Sequence, residues 1–438
     1  MQNADTLITN ARILTMGDRG ILDNGFVAVC SGRIFAVGPM ADPAADSFAA
    51  AETVDAGGNL VMPGLINAHT HASMTLFRGL ADDLPLMDWL NNYIFPAESK
   101  LTADWVRWGA ELACLEMIAG GTTTFCDMYL FEQAVAEAAD LAGLRALVGE
   151  VLYDFPSPNY GVPENGLQYT RDLIGRWAGH ERIGIAVEPH APYTCSPDLL
   201  RQCHALAEEA DVPFIIHLAE TTHEIETVRE RYGTTPVAHL HDLGILDDRL
   251  IADHVVHPTD ADLDLIVETG AAVVHNPESN MKLASGAAPV AAMVERDICV
   301  ALGTDGCASN NNLDMFQEMD AAAKLQKVVT GNPTALPAHT VVAMATREGA
   351  RALGLADTCG RIEPGLAADL IVVDLQQPHL TPLYDVDSHL VYAARGADVL
   401  STMVAGRWLM KDRQFTTLDP VEVMGAVNRI AGEIRALV

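Results

Sequence analysis

The stretch NLVMPGLINAHTHASMTLFRGL, Asn59 to Leu80, is an apolar run that ends in two histidines one residue apart, His69 and His71. In a β-strand, side chains at i and i+2 point to the same side. If this run is a strand, both imidazoles face one space and can grip one ion together. Whether they do depends on what the rest of the chain brings to the same place.

Seven further short apolar runs follow: TTTFCDMY, RALVGEVLYDF, IGIAVEPH, PFIIHLAE, IADHVVH, AAVVHNPES and CVALGTDG. Between them lie segments with helical spacing and a capping Ser or Asp, such as SPDLLRQCHALAEEA and TDADLDLIVETG. Buried strands alternating with helices imply a parallel sheet. Eight repeats predict an α/β fold, a closed (β/α)8 TIM-like barrel. No Gly-rich phosphate fingerprint follows the first run, which argues against an open doubly wound sheet.

The ends of the runs share a chemistry. They carry His69 and His71, His190, His217 and Glu220, His254 and His257, His275, and Asp305. In such a barrel the C-terminal strand ends converge on one rim. His69, His71, His217 and Asp305 then supply three imidazoles and one carboxylate, a donor set for one divalent metal ion. Nitrogen and oxygen ligands without thiolate suit zinc, with ferrous iron the alternative.

The two chain ends read differently. DTLITNARIL and GFVAVCSGRIFAVG near the start, and GLAADLIVVDL and VLSTMVAGRWLMKD near the end, are short β runs between turn residues. They are expected to pair into one small composite β-sandwich domain. The expected division is 1–58 and 364–438 for that domain and 59–363 for the barrel. Asp419 and Pro420 open a terminal helix.

The motifs PGLINAHTH, HLAETTHE, VHNPESNMKLASG and LGTDGCASNNNLDM resemble the amidohydrolase superfamily over nearly the whole chain. Binuclear members place a carbamylated lysine at the end of strand four; IAVEPHAPYT has none, so the resemblance implies the mononuclear subtype. HTHASMTLFRGLADDLPLMDWL followed by PAESKLT is similar to the 5-methylthioadenosine/S-adenosylhomocysteine deaminases, with triazine hydrolases and guanine deaminases as close relatives. The resemblance implies roles. His69, His71, His217 and Asp305 hold the metal, and Glu220 shuttles protons. His254 sits beside the attacking water, Glu98 accepts bonds from ribose hydroxyls, and His190 contacts the purine or its sugar.

The expected reaction adds water at C6 of an adenine nucleoside and expels ammonia. Asp305 is expected to take the water's proton, Glu220 to protonate N1, and His254 to hold the developing oxygen. Each residue also has a plainer reading. Glu220 caps a helix, Glu98 is a solvated loop charge, and His190 fixes a neighbour. His257 and His275 are packing residues. His180, His204, His239 and His241 are surface residues, and Trp89 belongs either to the ligand's cover or to the core. S-adenosylhomocysteine carries a carboxylate that calls for a cation. The segment VLYDFPSPNYGVPENGLQYT has no arginine before Arg171, which favours a neutral 5′ group unless Arg78 or Lys282 serves.

Composition bounds the alternatives. With 438 residues, 49% hydrophobic and 20% charged, the chain is an ordinary globular one. A net charge of −32 argues against nucleic-acid polymer or anionic membrane as partner. The eight cysteines show no C-x-x-C spacing, and no leader or long apolar span is evident, so a cytoplasmic enzyme is expected. Its partner is a small nucleoside, and self-association is left open. The competing readings are an amidohydrolase acting on a free purine base or s-triazine, and a non-enzymatic scaffold of the same fold.

Overall fold

The computed structural model describes residues 2–84 and 90–436; Trp89 lies outside them. Five strands open the chain: β1 (Gln2–Leu14), β2 (Ile21–Cys30), β3 (Arg33–Pro39), β4 (Phe48–Asp55) and β5 (Leu60–Pro63). Four close it: β16 (Leu370–Val373), β17 (Val399–Val404), β18 (Arg407–Lys411) and β19 (Gln414–Phe415). These nine form one sheet in the order β19-β18-β17-β16-β5-β1-β2-β3, with β4 also on β1. The seam between the chain ends is β5 against β16, with Val61 opposite Val372.

The domain expected as a sandwich is thus one hydrogen-bonded sheet, curled until its far parts touch. The β2–β3 turn meets the β17–β18 turn so closely that a Cβ on Gly32 would lie 2.8 Å from the Ala405 carbonyl oxygen. Inside the curl, Ile8, Val27, Val61, Leu370 and Met403 share one buried cluster. Asp419 caps the terminal helix Pro420–Arg435 by accepting from the Val421 and Glu422 amides.

The barrel lies between. Its strands are β6 (Leu65–His71), β7 (Thr122–Tyr129), β8 (Arg145–Leu152), β9 (Ile183–Ile185) with β10 (Glu188–Pro189), β11 (Phe214–Leu218), β12 (Leu250–His254), β13 (Ala272–His275), and β14 (Val300–Leu302) with β15 (Asp305–Gly306). β9 and β10 are two pieces of one strand, as are β14 and β15. Every pairing is parallel. A parallel bridge from Val187 to Phe214 joins the fourth strand to the fifth. Closure comes from β15 on β6, with Asp305 opposite Thr70 and Gly306 opposite His71. That register sets the last carboxylate beside the first two histidines.

β7 and β8 are buried at every position, as strands covered on both faces should be. The helices between strands start where the sequence signals them. Ser196 caps Pro197–Ala210, and Thr259 and Asp262 form a capping box on Asp260–Thr269, which stops at left-handed Gly270. One buried ion pair fastens barrel to sheet domain: Arg145 Nε lies 2.9 Å from Asp369 Oδ2, with side chains 4% and 1% exposed.

Candidate functional site

His69, His71, His217 and His254 converge at the rim, with the ring centroids of every pair but His71–His254 4.9 to 5.4 Å apart. Among the described residues, two groups have donor atoms close enough for one ion: His69 with His217 and His254, and His69 with His71 and Asp305. The four expected ligands therefore meet in one place, and His254 joins them.

Which nitrogen each ring presents follows from what holds the other one. His71 Nδ1 donates to the Met128 carbonyl, and His217 Nδ1 donates to the His190 carbonyl at 2.9 Å. Both rings therefore offer Nε2. Burial pulls the His217 pKa down and the neighbouring imidazoles pull it further, so the ring is neutral, as a ligand must be. The His69 ring is fully buried and its Nε2 has no hydrogen-bond partner. An orphaned, buried, basic nitrogen among two other Nε2 atoms and a carboxylate fits a divalent metal ion.

Asp305 is held for the same task. Its Oδ2 accepts from Ser279 Oγ at 2.6 Å and Ser309 Oγ at 3.2 Å, and its Oδ1 accepts from the Gly306 amide at 2.7 Å. Oδ1 also lies 3.1 Å from His71 Nε2. Burial alone would raise the Asp305 pKa, but the His71 bond and the surrounding imidazoles hold it well below the usual carboxylate range. The same contact acts on His71: burial lowers its pKa, yet the Asp305 bond and charge raise it to about 9, so without an ion Nε2 carries a proton that metal binding would displace.

His254 is held differently. The amide nitrogens of Asn276 and Asn280 face its Nδ1 at 3.3 and 2.9 Å. With both amides so placed Nδ1 accepts, and the ring proton sits on Nε2. His254 is then a hydrogen-bond donor toward the site.

Glu220 follows β11 in a turn fixed from below. Glu224 accepts from the Ala219 amide at 2.8 Å and the Glu220 amide at 2.9 Å. Ala219 there has φ +53°, so the turn is strained and depends on those bonds. Glu220 precedes the helix Thr222–Tyr232, whose N-cap is Thr221, so it is not the cap.

Glu98 ends a short helix, Phe95–Glu98, and is no free loop charge. The Tyr129 phenol donates to its Oε1 at 2.6 Å, and the Tyr129 ring stands 5.9 Å from that of His71. His190 Nδ1 bonds to Thr194 Oγ1 at 2.9 Å, and its ring is 5.0 Å from His217. Burial, then the charges of His71 and His254, lowers the His190 pKa to about 4.

The remaining candidates sort clearly. His257 Nε2 donates to the Ser285 carbonyl at 2.7 Å, and His275 is buried beside the site with both ring nitrogens unpaired. His239, expected at the surface, is 5% exposed and stacks on Tyr232 at 4.0 Å. An amphipathic helix turned it inward, which spacing alone did not reveal. Arg78 is paired with Glu116, and Lys282 reaches Asp82 at 2.6 Å. Tyr129, Glu224, Asn276, Asn280, Ser279 and Ser309 were not singled out from sequence. Tyr129, Asn276, Asn280 and Ser279 meet their neighbours only through the barrel, whereas Glu224 and Ser309 bond residues four or five places away.

Known proteins are similar to this chain. The pattern of the Amidohydrolase family matches residues 60–409. The chain is 60% identical to the 5-methylthioadenosine/S-adenosylhomocysteine deaminase of Syntrophobacter fumaroxidans, covering 99% of both chains. It is 46% identical to the 5'-deoxyadenosine deaminase of Methanosarcina mazei, again over 99% of both. A crystal structure of an adenosine deaminase from Xanthomonas campestris with bound zinc superposes with a TM-score of 0.97 at 41% identity, covering 99% of both. On its fold, its metal-ready rim and these matches, the chain belongs to the amidohydrolase family.

Proposed function

We propose that the protein deaminates adenine nucleosides bearing a small 5′ group, 5′-methylthioadenosine first among them, to the 6-oxo product and ammonia. S-adenosylhomocysteine and adenosine belong to the same substrate class. The observation that carries this reading is the Glu98–Tyr129 pair beside the metal histidines. A carboxylate held there matches a ribose diol, since each hydroxyl donates one bond. A free base or a triazine has no such diol.

A bound divalent ion supplies the acidity that makes water a nucleophile near neutral pH. The chain's own residues do the rest. His69, His71, His217 and Asp305 would hold the ion. Asp305, ionised and steadied by Ser279 and Ser309, takes the proton of the attacking water. His254, through its Nε2–H, donates a hydrogen bond to the oxygen added at C6 and keeps its proton. Glu220 delivers a proton to N1 so that charge does not build on the ring. Asp305 then passes its proton to the amine as the C6–N bond breaks, and the remaining C6 hydroxyl proton returns to Glu220, which leaves the 6-oxo product and restores the acid. Glu98 fixes the ribose, and neutral His190 lines the nucleoside's other side.

Eight free cysteines, six of them buried, fit a reducing compartment, and the cytoplasm is the proposed location. No helix among the described residues is long and apolar enough to cross a membrane. The test is ammonia release by purified, zinc-loaded protein. Turnover of 5′-methylthioadenosine supports the reading; no change in it, adenosine or S-adenosylhomocysteine overturns it.

A further inference from the structure

Under the metal histidines, inside the barrel, lies a carboxylate that the reaction above does not use. Asp253, the penultimate residue of β12, has Oδ2 3.1 Å from Nδ1 of His69, and both side chains are fully buried. The contact has ion-pair distance without the alignment of a hydrogen bond, and neither Asp253 oxygen has a hydrogen-bond partner. A buried carboxylate with no other partner costs several kcal/mol. It is expected to persist only where a positive charge or a donor meets it.

We propose that Asp253 is a positioning residue for the metal ion, fixing His69 in its Nδ1–H form so that Nε2 is free to ligate. The other two histidine ligands are held by backbone carbonyls, Met128 and His190. His69 alone faces a carboxylate through Nδ1. The general rule is that a metal-bound imidazole gives its second N–H to a carboxylate or carbonyl, and that losing such a partner costs ~10–100-fold in metal affinity.

A second buried acid lies in the neighbouring lumen. Glu188, on β10, is fully buried with both oxygens unpaired. Its side chain fills the space above Gly149, where a Cβ would lie 2.4 Å from the Glu188 Cδ. Burial first, then the Asp253, Asp127 and Glu150 charges, pushes the Glu188 pKa well above the usual range, so it is a neutral acid. It walls the lumen beside Asp253 without adding a second charge to it.

Asp253 acts on the ion and not on the substrate, so its role can fail while the deaminase reading stands, and the reverse. The test is zinc affinity of the full-length Asp253→Asn and Asp253→Ala variants by competition with a chromophoric chelator. Apo-protein melting curves serve as the folding control. We expect zinc affinity to fall ~10–100-fold with KM for nucleoside unchanged in zinc-saturated protein. Wild-type affinity in both folded variants overturns the proposal. Should neither variant fold, a zinc-loaded wild-type crystal structure decides. Zinc on His69 Nε2 with Asp253 within hydrogen-bond distance of Nδ1 supports the proposal, and any other arrangement at His69 contradicts it.

Discussion

The Tyr129 phenol donates to Oε1 of Glu98 at 2.6 Å, and this bond tempers how the proposed ribose anchor answers to pH. Burial raises the Glu98 pKa from 4.5 to about 7, against the lowering effects of the Tyr129 bond and the His71 charge. Folding thus favours the protonated acid. Its contribution to stability is full below pH 4.5 and is lost as pH rises to about 7. Nucleoside binding runs the other way, because only the carboxylate accepts from both hydroxyls. KM is expected to fall as pH rises through about 7. In Tyr129→Phe the profile should move to higher pH. In Glu98→Gln KM should rise ~10-fold or more and lose this pH dependence. An unchanged KM in Glu98→Gln would remove Glu98 from the ribose.

Glu220 is expected to be needed for chemistry and not for the metal. Glu220→Gln should lower kcat by ~10²–10⁴-fold while zinc content by elemental analysis stays at the wild-type level. Loss of zinc from this variant would instead make Glu220 part of the metal's support.

The cations at the rim bear on which 5′ group is preferred. Arg78 and Lys282, the two that could replace the missing arginines, already serve Glu116 and Asp82. An S-adenosylhomocysteine carboxylate would have to break such a pair. Its kcat/KM is expected to be ~10-fold or more below that of 5′-methylthioadenosine, the worth of one charged hydrogen bond. Equal values, measured side by side, would mean that a cation other than Arg78 and Lys282 reaches the amino-acid end.

Stability has its own test at the seam between barrel and sheet domain. Asp369 accepts from Arg145 and, at 2.7 Å, from the Ala405 amide. Asp369→Ala would leave a buried guanidinium unpaired, at a cost of about 3–5 kcal/mol. A clear fall in melting temperature is expected. Arg145→Met with Asp369→Leu should recover part of it, since an apolar pair removes the stranded charge.

The sequence made the barrel legible because its buried parallel strands read as uniform apolar runs bounded by helix caps. The rim was legible because those runs ended in histidines and acids. His69 and His71 share a face by strand periodicity alone, and Asp305 could be placed beside them once eight runs implied closure. What supports them was not legible. Asp253 meets His69 across the lumen from a strand five places round the barrel, and Ser279 meets Asp305 from the short helix Pro277–Lys282 after β13. Such contacts depend on register and on irregular backbone, such as the positive φ of His254 and Asp305, which no period in the sequence records. The sheet domain shows a similar limit: both ends were readable as β, but the curl that brings Gly32 to Ala405 was not.

Glu98 as a sugar anchor next to a deaminating metal site is the central claim. The most direct measurement is kcat/KM of the zinc-loaded protein for 5′-methylthioadenosine, adenosine, adenine, guanine and an aminotriazine, followed by ammonia release. The nucleosides are expected to turn over, and the free bases and triazine to be inert or nearly so. Turnover of a free base or triazine with the nucleosides untouched would leave the fold and metal site standing and contradict the assignment of substrate.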